Sequence, residues 1–65
     1  MSAKIIGKMA EERYSRRQLA QAIGMPIGTL HNKLTGKTDW KLVEAVAVCD
    51  ALKIPRVNII DYFVV

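Results

Sequence analysis

This 65-residue sequence has only one cysteine, Cys49, and one histidine, His31. A lone cysteine excludes an internal disulfide, and the pair falls short of any familiar zinc ligand set. Cys49 is read as a small buried hydrophobe, and no metal or cofactor is expected. No apolar run approaches the roughly 20 residues that span a bilayer, and no secretory signal pattern is present. A soluble, cytoplasmic protein with no membrane partner is expected. Catalytic groups are equally scarce. His31 has no serine or cysteine nucleophile and no carboxylate at a useful spacing, so no catalytic residue is assigned and no small-molecule substrate is expected. The chain is short enough to make one domain, which buries only about 60% of the surface of its unfolded form.

Acids are missing from one stretch in particular. Between Arg13 and Lys41 stand six basic residues, Arg13, Arg16, Arg17, Lys33, Lys37 and Lys41, against the single acid Asp39, a local balance of +5. The remainder has four basic residues (Lys4, Lys8, Lys53, Arg56) and five acids (Glu11, Glu12, Glu44, Asp50, Asp61), a balance of −1. The whole +4 surplus therefore sits on one segment, the electrostatic footprint of phosphate binding.

What is present points to an all-α fold, a compact bundle of about five short helices around a central helix-turn-helix. Residues 2–13 read as a first helix with an apolar stripe at Ile5, Ile6, Met9 and Ala10. Ser15 and Gln18 have the spacing of a capping box, with Tyr14 and Leu19 placed as a hydrophobic staple, so a second helix starts at Arg16. It presents Leu19, Ala20 and Ile23 inward and ends at Gly24, where a positive φ is cheap. Ala20 is small enough for a close crossing with the next helix. Pro26 restarts the chain into that helix, whose inward residues are Leu30 and Leu34 and which ends at Gly36. Trp40 is expected to plug the core from the following loop. A fourth helix over about residues 41–52 buries Leu42, Ala45, Val46, Cys49 and Leu52, and Glu44 lies in its first turn, where the helix dipole favours a carboxylate. Val43, Ala47, Val48 and Ala51 make that helix apolar on more than one face. It is therefore expected to be central or to touch a partner. From Pro55 on, a short fifth helix to about Tyr62 is preferred, although the β-branched and aromatic run VNIIDYFVV also suits a strand.

In this order of elements, Leu19, Ala20, Gly24, Thr29, Leu30, Lys33, Leu34, Gly36, Lys37, Thr38, Trp40, Glu44 and Leu52 carry a resemblance to the lambda-repressor-like DNA-binding domains, the family of phage repressors and Cro proteins. The resemblance implies five helices, binding to duplex DNA as a dimer, and repression or switching of transcription. The chain departs from the family pattern at Met25, Pro26, Ile27 and Gly28, where members usually carry polar residues.

With Leu30 and Leu34 inward, the wheel turns Gly28, Thr29 and Asn32 outward and leaves His31, Lys33 and Thr35 at the edges. The base-reading set is then Ile27, Gly28, Thr29, His31 and Asn32. Asn32 leads it, because its amide can pair with adenine in the major groove. Thr29 suits a thymine methyl or a phosphate, and Ile27 a thymine methyl or the core. The phosphate set is Arg16, Arg17, Lys33, Lys37 and Thr38. The expected partners are double-stranded DNA and, weakly, a second copy of the chain through Val43, Ala47, Val48, Ile59, Tyr62, Phe63 and Val64. Two other classes compete. One is a protein-interaction module such as an antitoxin, and the other is an accessory architectural protein that bends DNA.

Overall fold

The computed structural model describes residues 3–63. These form α1 (Ala3–Glu11), α2 (Arg16–Ile23), α3 (Ile27–Leu34) and α4 (Leu42–Ala51), followed by a 3-10 turn (Arg56–Asn58) that runs into α5 (Ile59–Phe63). Among the described residues there is no strand, and residues 56–63 are helical. No helix among them is long and apolar enough to cross a membrane.

Helix starts and stops follow from local chemistry. At α2 the Gln18 N–H donates to Ser15 Oγ (3.1 Å) and the Ser15 N–H donates to Gln18 Oε1 (2.8 Å), a complete capping box. The stops share one device. Tyr14, Met25, Lys37 and Ile54 each donate a backbone N–H to the carbonyl five residues back, at 2.9, 2.9, 2.8 and 2.8 Å. Each bond closes over a left-handed residue: Arg13 (φ 59°), Gly24 (φ 69°), Gly36 (φ 83°) and Lys53 (φ 60°). The Arg13 turn ends α1 at Glu11, short of the residue 13 that periodicity alone suggests. Residue 2 lies outside the described residues.

The core is drawn from all four longer helices and the segment after α4. Ile5, Met9, Leu19, Ala20, Leu30, Leu34, Val48, Cys49, Leu52 and Ile54 form one buried cluster, with Tyr14, Trp40, Ile59, Tyr62 and Phe63 packed on its margin. Ala20 keeps 4% exposure, so the α2–α3 crossing is tight. Trp40 closes the cluster from outside, meeting Phe63 edge to face with ring centroids 5.2 Å apart.

Several positions on α1 and α4 differ from the helical-wheel expectation, among them Ala10 of the α1 stripe, which is exposed. Leu42, assigned to the buried stripe of α4, is 73% exposed. It is the first residue of the helix and lines a surface groove; a wheel gives direction around an axis and not depth along it. Val48, assigned to an outer face, is fully buried. Because α4 is apolar around most of its circumference, periodicity does not fix which face turns in. Ile6 on α1 is 42% exposed beside the fully buried Ile5.

Candidate nucleic-acid interface

The capping box fixes where α2 begins, and with it Arg16 and Arg17 as the first two helical residues, both exposed. Arg16 Nη1 lies 2.9 Å from His31 Nδ1 and ties the start of α2 to the middle of α3. A guanidinium only donates, so Nδ1 accepts and the imidazole proton sits on Nε2. His31 is thereby held at the boundary between the expected base-reading and phosphate sets, joined to one member of the latter. Thr35 Oγ1 donates back to the His31 carbonyl at 3.0 Å and closes the last turn of α3.

Lys37 and Thr38 are exposed, and their position follows from Asn32. The Asn32 carbonyl accepts N–H groups from Lys37 (2.8 Å) and Thr38 (3.2 Å), so the loop after α3 folds back against the helix that carries Asn32. Asn32 itself is partly buried, while Ile27, Gly28, Thr29 and His31 are exposed along α3. Arg16, Arg17, Lys37 and Thr38 are all exposed, and α3 is tied to Arg16 through His31 and to the loop of Lys37 and Thr38 through the Asn32 carbonyl.

Lys33, by contrast, is 6% exposed, and its ammonium donates to the Asp39 carbonyl at 2.8 Å and contacts Glu44 Oε1 at 2.9 Å. Its place on the phosphate-facing rim is corrected here: Lys33 is an internal cation that fastens α3 to the following loop and to the start of α4. Burying an ammonium is costly unless it is paired and hydrogen-bonded, and both conditions are met. Glu44 also accepts the Lys41 N–H at 2.8 Å, which caps α4. That backbone bond first, and the Lys33 ammonium second, hold the Glu44 carboxyl below its ordinary range.

The ion pairs separate the cations into two groups. Lys8 is paired with Glu11 and Glu12, Lys53 with Glu12, Arg56 with Asp50, and Lys33 with Glu44. Among the described residues, the side chains of Arg13, Arg16, Arg17, Lys37 and Lys41 form no ion pair, and outside this segment only Lys4 shares that state; the Lys41 backbone N–H, by contrast, does meet the Glu44 carboxylate. The positive charge between residues 13 and 41 is thus largely uncompensated, while Lys8 on α1 and Lys53 and Arg56 after α4 are paired in place. Arg13 and Lys41 are additions to the sequence-derived set. Both are visible there as charges, but neither stands on a helical face that assigns it a direction.

Beside this edge lies an apolar groove of about 430 Å³. Its lining runs from Gly36 and Thr38 in the loop to Trp40, Leu42, Ile60 and Phe63. The most exposed apolar side chains lining it are Leu42 and Ile60, at 73% and 63% exposure, and Val43, next to Leu42 in the chain, is 81% exposed. Cys49 is fully buried, and desolvation, reinforced by Asp50, raises its thiol above the ordinary range, so it packs as a hydrophobe.

Fold and charge together define a small all-α protein with an uncompensated basic edge along a two-helix corner. The chain belongs to the family described as protein of unknown function (DUF739), whose model matches residues 2–65. No curated protein matches the chain.

Proposed function

We propose that the protein binds double-stranded DNA sequence-specifically and regulates transcription, as a repressor or Cro-like switch protein of phage type. The observation that carries this reading is the segregation of unpaired cations. A folded protein gains from pairing its surface charges where carboxylates are near, and an edge left unpaired at Arg16, Arg17 and Lys37 suits a polyanion. The resemblance to lambda-repressor-like domains supports the same reading, with α3 entering the major groove and α2 lying across the backbone. In it, Arg16, Arg17, Lys37 and Thr38 bind phosphates and position the domain. The half-buried Asn32, together with the exposed Ile27, Gly28, Thr29 and His31 of α3, reads bases.

The reading includes a second copy of the chain on the DNA, since one domain of this size spans too few base pairs for tight selection. The surface proposed for that contact is Leu42, Val43 and Ile60. Val48 leaves it because it is buried, and Val64 lies outside the described residues. The same exposed patch favours a second reading, a module that docks another protein. The basic edge separates the two: docking alone is indifferent to Arg17→Ala and to salt.

Selection of bound sequences from a random duplex pool, followed by affinity measurement across salt, tests the proposal. Three phosphate contacts predict a slope of log affinity on log salt near −2.7 per copy, about 0.9 for each. Arg17→Ala and Lys37→Ala each reduce that slope by about 1. Affinity that ignores salt, or no duplex binding at low salt, overturns the reading.

A further inference from the structure

Two neighbouring residues at the leading edge of the exposed face of α3 have no task inside the fold. Ile27 is 47% exposed. Ile23 and Met25, just before it in the chain, pack on the margin of the core, but Ile27 does not join them. Gly28 follows it in α3, where a Cβ would meet nothing within 4 Å. Its backbone is helical with no positive φ. Glycine in a helix costs stability relative to alanine, and here alanine fits. Neither the backbone nor the packing asks for this glycine, whereas Gly24 and Gly36 are required by their left-handed conformation. Ile6 and Gly7 on α1 form a similar pair, but Ile27 and Gly28 stand in the helix that Arg16 reaches through His31 and that carries Asn32, where a ligand held by the basic edge lies against them.

Major-groove base edges offer an isolated apolar side chain one specific target, the 5-methyl group of thymine. We infer that Ile27 is a specificity-determining residue that reads a thymine in each half-site by burying its 5-methyl, and that Gly28 lets α3 lie close enough for that contact. The inference rests on the DNA-binding reading and adds to it the chemistry of one recognised base. Asn32, one turn on from Gly28, supplies a polar contact, and Ile27 supplies an apolar one beside it. This accounts for the departure at Ile27 and Gly28 from polar residues: the first turn of α3 selects by shape and apolar contact.

Replacing single thymines of the selected site by deoxyuridine removes only the methyl group. The intact chain, titrated against such duplexes by fluorescence anisotropy at fixed salt, is expected to lose about fourfold in affinity per half-site at one thymine position, the value of one buried methyl. Ile27→Ala binds the thymine and uracil duplexes alike at that position, and Ile27→Val keeps part of the difference. Gly28→Ala raises the melting temperature of the free protein and yet weakens binding to the thymine duplex; Gly7→Ala, where a Cβ also meets nothing, raises the melting temperature and leaves binding unchanged. Discrimination between thymine and uracil that survives Ile27→Ala overturns the inference, as does a selected site at which no methyl matters or Gly28→Ala binding at full strength. In those outcomes duplex binding persists and the broader reading stands. Failure to bind any duplex removes both.

Discussion

At the scale of single residues, Lys33 and Glu44 show how charge can serve the fold rather than the surface. Lys33 is the one member of the basic segment whose ammonium is buried against a backbone carbonyl and a carboxylate. Lys33→Met is expected to cost about 2 kcal/mol of stability, the value of hydrogen bonds made by a charged donor, and to leave the salt slope of DNA binding unchanged. Thermal unfolding and a salt titration of the same variant check both halves. A reduced slope with an unchanged melting temperature would return Lys33 to the rim. Glu44 gives the pH counterpart. Its folded pKa is lowered by the Lys41 N–H and the Lys33 ammonium. Its contribution is therefore complete above the unfolded value, about 4.3, and is lost as pH falls through that value towards the lower, folded one. Urea midpoints are expected to drop over that acid range in the native chain. Glu44→Gln should start lower at neutral pH and lose less on acidification.

At the scale of elements, the helix stops divide sharply in how they are written. Gly24 and Gly36 announce themselves, because glycine populates the left-handed region freely. Arg13 and Lys53 take the same conformation at the ends of α1 and α4 against the cost to a side chain. Nothing in an arginine or a lysine signals a stop, so those ends are set by the packing of Tyr14 and Ile54 into or against the core. Gly24→Ala is expected to destabilise by about 1–2 kcal/mol, since alanine must enter the left-handed region there. Each kcal/mol moves the melting temperature of so small a domain by about 4–8 °C. A melting temperature unchanged by this substitution would mean that the α2 end can relax out of its left-handed turn.

The same contrast explains what the sequence makes legible in the fold and the candidate site. The Ser15 and Gln18 box, the turn at Gly24 and the inward Leu30 and Leu34 are local patterns, and each appears in the structure as read. The depth of α4 is not local. Leu42 and Val48 exchange the roles expected of them because α4 is apolar around most of its circumference and its burial depends on how α2 and α5 pack against it, information that no periodicity within α4 carries. In the candidate interface, Arg16, Arg17 and Lys37 are legible as unpaired charge. Lys33 reads identically in sequence and differs only because the chain returns Glu44 to within 2.9 Å of it. The Arg16–His31 contact, across 15 positions of sequence, has no sequence signature at all.

At the scale of the whole molecule, the question is how a body this small meets a second copy on DNA. Its Cα atoms extend over 27 × 23 × 19 Å. Half-sites one helical turn apart place two such bodies about 34 Å apart, so that side chains at their facing edges touch. A two-fold contact sets the same patch against itself. Leu42, Val43 and Ile60 suit that place, being apolar and exposed, and Leu42 and Ile60 line the same groove as Gly36 and Thr38 of the loop after α3. So few side chains fall well below the roughly 1,200–2,000 Å² of a stable interface. The proposed assembly is therefore a monomer in dilute solution that pairs on DNA. Removing the C-terminal residues does not test this, because Tyr62 and Phe63 pack on the core and Phe63 meets Trp40, so their loss unfolds the domain. Leu42→Gln combined with Ile60→Gln does, since both side chains are mostly exposed and the fold does not depend on them. Band-shift titration of the native chain on the selected site is expected to rise sigmoidally to the doubly bound complex, and the double variant to fill the two half-sites independently at an unchanged melting temperature. Cooperative filling that persists in the double variant would move the contact to another face, and one-to-one binding of the native chain to a site without a repeat would remove the second copy from the proposal.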